Sequence, residues 1–260
     1  MTATTTSSSS LPRIALITGG SRGLGRSMAL ALATQGTDIV LTYRSNRAEA
    51  DAVVAAIAAQ GRRAVALPLD VARSAGFADF AAEVGRQLAT WGRERIDFLV
   101  NNAGVGAYAP FAETTEQQFD DMVAIHLKGT FFLTQALLPL IADGGRIVNV
   151  SSGLARFSYP GYAAYAMMKG GVEVLTRYLA AELGPRRIAV NTIAPGAIET
   201  DFGGGAVRDN ADLNARIAQS TPLGRVGLPE DIGDAVAALL SEGGRWINGQ
   251  RIEVAGGIHG

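Results

Sequence analysis

Residues 13–25 read RIALITGGSRGLG, an aliphatic run that ends in glycines at 19, 20, 23 and 25 just as a helix-forming stretch opens. A β-branched run stopped by a glycine-rich turn and resumed with helical period is one βα unit. The glycines let the backbone turn sharply and come close to a ligand, and the free N–H groups of a helix N-terminus stabilise phosphate charge. The spacing over residues 18–25 is TGxxxGxG and not GxGxxG. Gly19, Ser21, Arg22, Gly23, Leu24 and Gly25 are therefore candidate contacts for the pyrophosphate of a dinucleotide.

The same alternation continues outward from this unit. Short β-branched runs, RIALIT, DIVLTY, RAVALPL, IDFLVN, GRIVNVS, IAVNTIA and RIEVAG, are separated by alanine-rich stretches of helical period at about 23–36, 46–60, 74–91, 115–140, 161–184 and 229–241. Alternating strands and helices predict an α/β fold, a doubly wound Rossmann-type arrangement with a mainly parallel seven-stranded sheet covered on both faces. No linker divides the pattern, so residues 13–260 form one dinucleotide-binding domain. The segment 199–228 breaks the alternation with FGGG and a proline at 222; a long irregular insertion of this kind is expected to close over a ligand. The opening MTATTTSSSS has neither a basic nor an apolar region and reads, within residues 1–12, as a disordered tail and not a secretory signal.

Composition removes several classes of function. With 260 residues, 48% of them hydrophobic, the chain can bury a sizeable core. Twenty-three basic against 24 acidic residues leave a formal net charge of −1, so no global field draws nucleic acid or an anionic membrane. There is no cysteine, and the two histidines are His126 and His259, which excludes disulfides, thiolate metal sites and a cysteine nucleophile and leaves no metal site to expect. Small-molecule partners and a reducing cytoplasm are the expectation. The apolar run TFFLTQALLPLIA falls short of the roughly 20 residues that cross a bilayer, so a soluble protein is expected.

The choice of dinucleotide is read at the end of the second strand, where a carboxylate would hold an adenosine ribose 2′-hydroxyl. That strand runs LTYRSN, with Tyr43, Arg44 and Ser45 and no acid. Arg44, with Arg22 from the glycine turn, can pair a 2′-phosphate through planar guanidinium groups. NADP(H) is the predicted cofactor.

Four further stretches, NNAG at 101–104, NVSS at 149–152, Tyr165-x-x-x-Lys169 and PGAIET at 195–200, follow the glycine turn in an order that resembles the short-chain dehydrogenase/reductase family. The likeness covers residues 13–260, in the branch whose chains are about as long as this one, with a 3-oxoacyl reductase-like pattern. It implies reversible, NADPH-dependent reduction of a ketone to a secondary alcohol. Two alternatives stay open: an NAD-dependent alcohol dehydrogenase, and a dinucleotide-sensing regulator that binds without turnover.

Residues i and i+4 share one face of a helix, so Lys169 can reach the space beside Tyr165. A nearby ammonium is expected to lower the phenol from its ordinary pKa of ~10 and make Tyr165 the acid/base. Lys169 is one of only two lysines among 23 basic residues. The family resemblance adds that it holds the nicotinamide ribose and passes on protons, which an always-charged arginine cannot do. Tyr159 and Tyr162 lack a lysine at i+4. The resemblance also selects Ser152, thirteen residues before Tyr165, as the hydroxyl that donates to the substrate oxygen, with Ser151 turned away. It places Asp70 and Val71 about the adenine, and Asn101 under the cofactor, with Ala103 beside it and Gly104 allowing close approach. Pro195, Gly196, Ile198 and Thr200 fall at the carboxamide. It further implies a homotetramer, with the helices near 115–140 and 161–184 at one interface. The family's active-site asparagine is replaced by His126, which keeps a backbone role, adds its own titration, or is a satisfied core histidine with no catalytic duty.

Overall fold

The seven apolar runs become the strands of one sheet: β1 Ile14–Ile17, β2 Asp38–Tyr43, β3 Ala64–Pro68, β4 Ile96–Asn101, β5 Ile141–Val150, β6 Ala189–Pro195 and β7 Arg251–Val254. The structure, a computed structural model, describes residues 11–258; the expected tail, apart from Leu11 and Pro12, and His259 lie outside the described residues. The strand order is β3-β2-β1-β4-β5-β6-β7 and every pairing is parallel. Winding proceeds from β1 through β2 to β3, then reverses through β4 to β7. The crevice between the carboxyl ends of β1 and β4 is thus the switch point where such sheets bind ligands. β5 starts earlier than its apolar run because Ile141 pairs with Ile96 across an irregularity in register.

The helices are α1 Gly23–Thr34, α2 Arg47–Ala59, α3 Phe77–Thr90, α4 Glu116–Met122, α5 Gly129–Leu137, α6 Ala163–Glu182, α7 Ala206–Asp209, α8 Ala211–Ser220 and α9 Pro229–Leu240. A π-helical turn, Val123–Lys128, joins α4 to α5. Alternate strand residues face opposite sides, so the sheet carries two cores. Ala15, Ile17, Ile39, Leu41 and Val100 meet Met28, Ile57 and Val236 of α1, α2 and α9. On the other face Ile14, Leu16, Val40, Leu99 and Val190 meet Val84, Leu137 and Ala180 of α3, α5 and α6.

The apolar contact gives way to a polar row near the carboxyl ends. Asn101, Asn149, Thr192 and Arg251 stand in register across β4 to β7. Asn101 Nδ2 donates to Asn149 Oδ1 at 2.8 Å, Asn149 Nδ2 to Thr176 Oγ1 of α6 at 2.9 Å, and Thr192 Oγ1 to Thr176 Oγ1 at 2.7 Å. Buried polar groups are stable only when paired, so these bonds hold α6 at one place along the sheet.

Two expectations are corrected. The segment 199–228 is not wholly irregular, since it holds α7 and α8; Asn210 caps α8 by accepting from Leu213 N at 2.9 Å, and the apolar Leu213 and Ile217 of α8 are half-buried. The run TFFLTQALLPLIA also does not stand alone. It is part of a helical rod, Glu116–Leu140, of 25 residues, long and apolar enough by length and composition to cross a membrane. Here Leu133, Thr134 and Leu137 of that rod are buried and Phe131 and Phe132 are exposed.

Candidate active site

The glycine turn is built for close approach. Gly19 and Gly23 are left-handed, at φ 65° and 53°, and a Cβ on Gly25 would lie 2.2 Å from the Gly19 carbonyl, so no side chain is tolerated there. The N-terminus of α1 has no side-chain cap and no acid in its first turn, whereas α2 is capped by Asn46 and α4 by a Thr115–Gln118 capping box. Uncapped N–H groups at the positive end of a helix fit a dinucleotide pyrophosphate. Ser21, Arg22 and Leu24 lie on this turn.

Asn101, expected under the cofactor, instead points into the polar row, where its Nδ2 also donates to Thr134 Oγ1 at 2.9 Å; its buried Oδ1 has no partner. Asn102 braces the turn, donating from Nδ2 to Thr18 O at 2.8 Å and Gly19 O at 3.2 Å. Thr18 Oγ1 accepts from the backbone N–H of both Asn102 and Ala103 at 2.9 Å. Of the two asparagines of NNAG, it is the second that holds the glycine turn.

At the adenosine end Tyr43 closes β2 and is buried, while Arg44 and Ser45 are exposed. Arg44 has no hydrogen bond or ion pair among the described residues, and Arg22 lies 3.9 Å from Asp201. Asp70 accepts from Ala72 N at 3.0 Å and pairs with Arg73 at 3.4 Å; next to it, the Val71 carbonyl lies against Gly129. Pro195 ends β6, Gly196 N donates to Val254 O at 3.0 Å, and Ile198 bridges Gly227. Thr200 lies 3.8 Å from where a Cβ on Gly23 would stand, so the base of the 199–228 segment meets the glycine turn.

Ser152, Tyr165, Lys169 and His126 converge on one side of this crevice. Tyr165 and Lys169 are both 5% exposed. The Ser152 hydroxyl faces the Tyr165 phenol, and Lys169 Nζ stands 5.6 Å from the centre of the phenol ring. Ser151 does turn elsewhere, donating to Glu173 Oε1 at 2.6 Å. The expected lowering of the phenol pKa is overturned: burial pushes Tyr165 well above an ordinary phenol, and the Ser152 hydroxyl opposes it only in part. Lys169 Nζ donates to the Val150 carbonyl at 2.7 Å. Burial pulls that lysine down to about 8, so it exchanges protons near neutrality.

The mouth beside these groups is aromatic. Phe202 lies 5.5 Å from Tyr165 between ring centres, Tyr162 lies 6.4 Å from Tyr165, and Tyr108 and Tyr159 lie 5.4 and 6.0 Å from Tyr162. Tyr162 itself is raised by burial, which leaves it a neutral wall.

A family model described as enoyl-(acyl carrier protein) reductase matches residues 19–259. A solved short-chain dehydrogenase/reductase from Serratia marcescens superposes with a TM-score of 0.87 at 30% identity, over 95% of this chain and 98% of that one. The chain belongs to the short-chain dehydrogenase/reductase family. It is accordingly an oxidoreductase that uses a nicotinamide dinucleotide. Among similar proteins, a tetrahydroxynaphthalene reductase of Pestalotiopsis fici is 37% identical over 256 residues, 94% of this chain and 91% of that one. The angucycline C-6 ketoreductase LanV, solved with bound NADP, has a TM-score of 0.89 at 36% identity over 95% of each chain.

His126 is where this short-chain dehydrogenase/reductase departs from the family's asparagine. It sits in the π turn, 1% exposed, with Nε2 donating to the Val105 carbonyl at 2.8 Å and its ring edge-on to Tyr165 at 5.4 Å. Its Cε1 lies 2.7 Å from where a Cβ on Gly104 would stand, so Gly104 is needed to admit the ring. Burial, then the charge of Lys169, pull its pKa down to about 3. The folded chain therefore holds His126 neutral while the unfolded chain protonates it below about pH 6.5. Stability is full above that pH and falls by about 4 to 5 kcal/mol as pH drops toward 3. His126→Asn should keep turnover within about tenfold and remove this acid sensitivity. Acid-unfolding curves and the pH dependence of kcat check both, and an inflection near pH 6.5 confined to the wild type would contradict the neutral ring.

Proposed function

We propose that this enzyme reduces ketones to secondary alcohols with NADPH, on substrates built of flat aromatic rings. The observation that carries the reading is the buried Tyr165 phenol, faced by Ser152 and backed by Lys169. When bound, NADPH supplies the hydride. The ketone oxygen sits between the Ser152 and Tyr165 hydroxyls, whose donated hydrogen bonds stabilise the charge that develops there. Tyr165 Oη then gives its proton to the alkoxide oxygen. A phenol raised by burial holds its proton at neutral pH, the form that the reduction uses. Lys169 Nζ, lowered to about 8, is the group that restores it.

The 2′-phosphate preference rests on Arg44 and Arg22 and on the lack of a carboxylate after β2; the relative solved with NADP agrees with it. Wild type is expected to favour NADPH. Tyr43→Asp combined with Arg44→Ser should shift the ratio of kcat/KM toward NADH by roughly tenfold or more, the loss of a charge-assisted contact of about 1.5 to 3 kcal/mol. A wild type that already prefers NADH would sink this assignment.

The aromatic substrate class is supported by the ring walls at Tyr108, Tyr159, Tyr162 and Phe202, because stacked rings add to area burial. Relatives named as hydroxynaphthalene reductases and an angucycline ketoreductase point the same way. Comparing kcat/KM for a fused-ring aromatic ketone and a small aliphatic ketone tests it; equal values contradict it. Residues 13–260 act as one domain, with 199–228 as the cover of the substrate. A homotetramer is supported by exposed Phe131, Phe132, Met167, Val174 and Tyr178 on α5 and α6, and a cytoplasmic location fits a chain without cysteine.

A further inference from the structure

The Ser152 hydroxyl works only if the chain at the end of β5 is held still, and what holds it is a charged cluster from the far edge of the sheet. Arg251 opens β7, the edge strand, and is the last member of the polar row. Its Nε donates to Glu173 Oε1 at 2.7 Å, its Nη2 to the Ser152 carbonyl at 3.2 Å, and its Nη1 lies 3.1 Å from Glu253 Oε2. Arg156 pairs with the same Glu253 oxygen at 2.7 Å. Glu173 Oε1 also accepts from the Ser151 hydroxyl at 2.6 Å, and the Lys169 carbonyl lies 3.3 Å from that hydroxyl. Arg251 and Glu173 are largely shielded, with side chains 21% and 15% exposed.

Lys169 and Glu173 are i and i+4 on one face of α6. They grip successive residues of β5 and its end: Lys169 Nζ holds Val150 O, Glu173 holds Ser151 Oγ, and through Arg251 it holds Ser152 O. A planar guanidinium can serve three oxygens at once, which an ammonium at that position cannot do with the same geometry. After Ser152 the chain enters a three-residue 3-10 turn, Gly153–Ala155, whose only tie to the Ser152 side chain is the Leu154 N–H at 3.2 Å.

We propose that Arg251 and Glu173 are positioning residues, which fix the Ser152 hydroxyl against the Tyr165 phenol by clamping the Ser151–Ser152 backbone to α6. This rests on the reading of Ser152 as the donor to the ketone oxygen. Neither residue touches the substrate. Their effect is exerted through Ser152, and a donor misplaced by even 1 Å loses much of its value.

The test is a double-mutant cycle on the full-length protein with NADPH and an aromatic ketone. Arg251→Met should lower kcat by about tenfold to a hundredfold, with NADPH affinity by fluorescence titration within about twofold. In a Ser152→Ala background the same change should cost less than about threefold, because the hydroxyl that it positions is gone. A loss of kcat of equal size in both backgrounds, or no loss in either, overturns the clamp. If Ser152→Ala alone leaves kcat unchanged, the assignment of Ser152 fails instead, and the clamp with it. Should Arg251→Met not fold, Arg251→Lys takes its place in the cycle, since it keeps the cation beside Glu173 without reaching all three oxygens. A Lys variant with wild-type kcat also overturns the clamp.

Discussion

Tyr165→Phe slows ketone reduction by about a thousandfold, within the range that a positioned general acid supplies, while NADPH affinity stays within about threefold. The substitution removes one oxygen from a ring that stays buried between His126, Tyr162 and Phe202, so the packing survives and the fold with it. What is lost is the proton that neutralises the alkoxide, while the hydrogen bond that Ser152 donates remains. Single-turnover kinetics with a fluorescence titration of NADPH separate the two effects. Retained turnover removes Tyr165 from the mechanism. Loss of cofactor binding in proportion to turnover shows that the hydroxyl acts through cofactor binding and not through the proton.

Lys169→Met has the second largest effect, and its two parts run in opposite directions. Turnover falls by about a hundredfold or more, because the group that resupplies Tyr165 with protons is gone. Stability at neutral pH rises. Burial lowers Lys169 from 10.5 to about 8, so the folded chain resists charging it, at a cost of about 3 kcal/mol that is complete below about pH 8. The cost fades as pH rises from about 8 toward 10.5, where the unfolded chain also loses the proton. Methionine, of similar length and uncharged, escapes it and gives up only the hydrogen bond to Val150 O. Denaturant unfolding of both proteins at pH 7 and at alkaline pH checks the sign. The advantage of the variant must shrink as pH rises. An advantage that grows with pH contradicts a lysine held close to neutrality, whereas a catalytic cation kept at the expense of stability is the expected pattern.

The alternation of β-branched and helical runs was legible because each strand is covered on both faces, and DIVLTY and IDFLVN match β2 and β4 residue for residue. The glycine turn was legible because its conformation admits no side chain at Gly25. Three features were not. α8 carries only Leu213 and Ile217 as large apolar residues, both half-buried, a stripe too short to stand out after FGGG. The pKa of Tyr165 depends on how many groups from distant segments surround it, which the four-residue spacing to Lys169 does not encode; spacing suggested a charge effect and burial prevailed. The roles of Asn101 and Arg251 follow from cross-strand register, Asn101 to Asn149, Asn149 to Thr192, Thr192 to Arg251, and register between strands far apart in the chain is settled only when the sheet is assembled.

On the proposed mechanism a hydride reaches a ketone carbon while Tyr165 supplies the proton. NADPH dideuterated at C4, incubated with the wild type and a fused-ring aromatic ketone, tests it when the product is analysed by mass spectrometry. The expected product is a secondary alcohol carrying one deuterium on the carbinol carbon, with no alcohol above background from Tyr165→Phe. Alcohol without deuterium, or equal alcohol from both proteins, contradicts it.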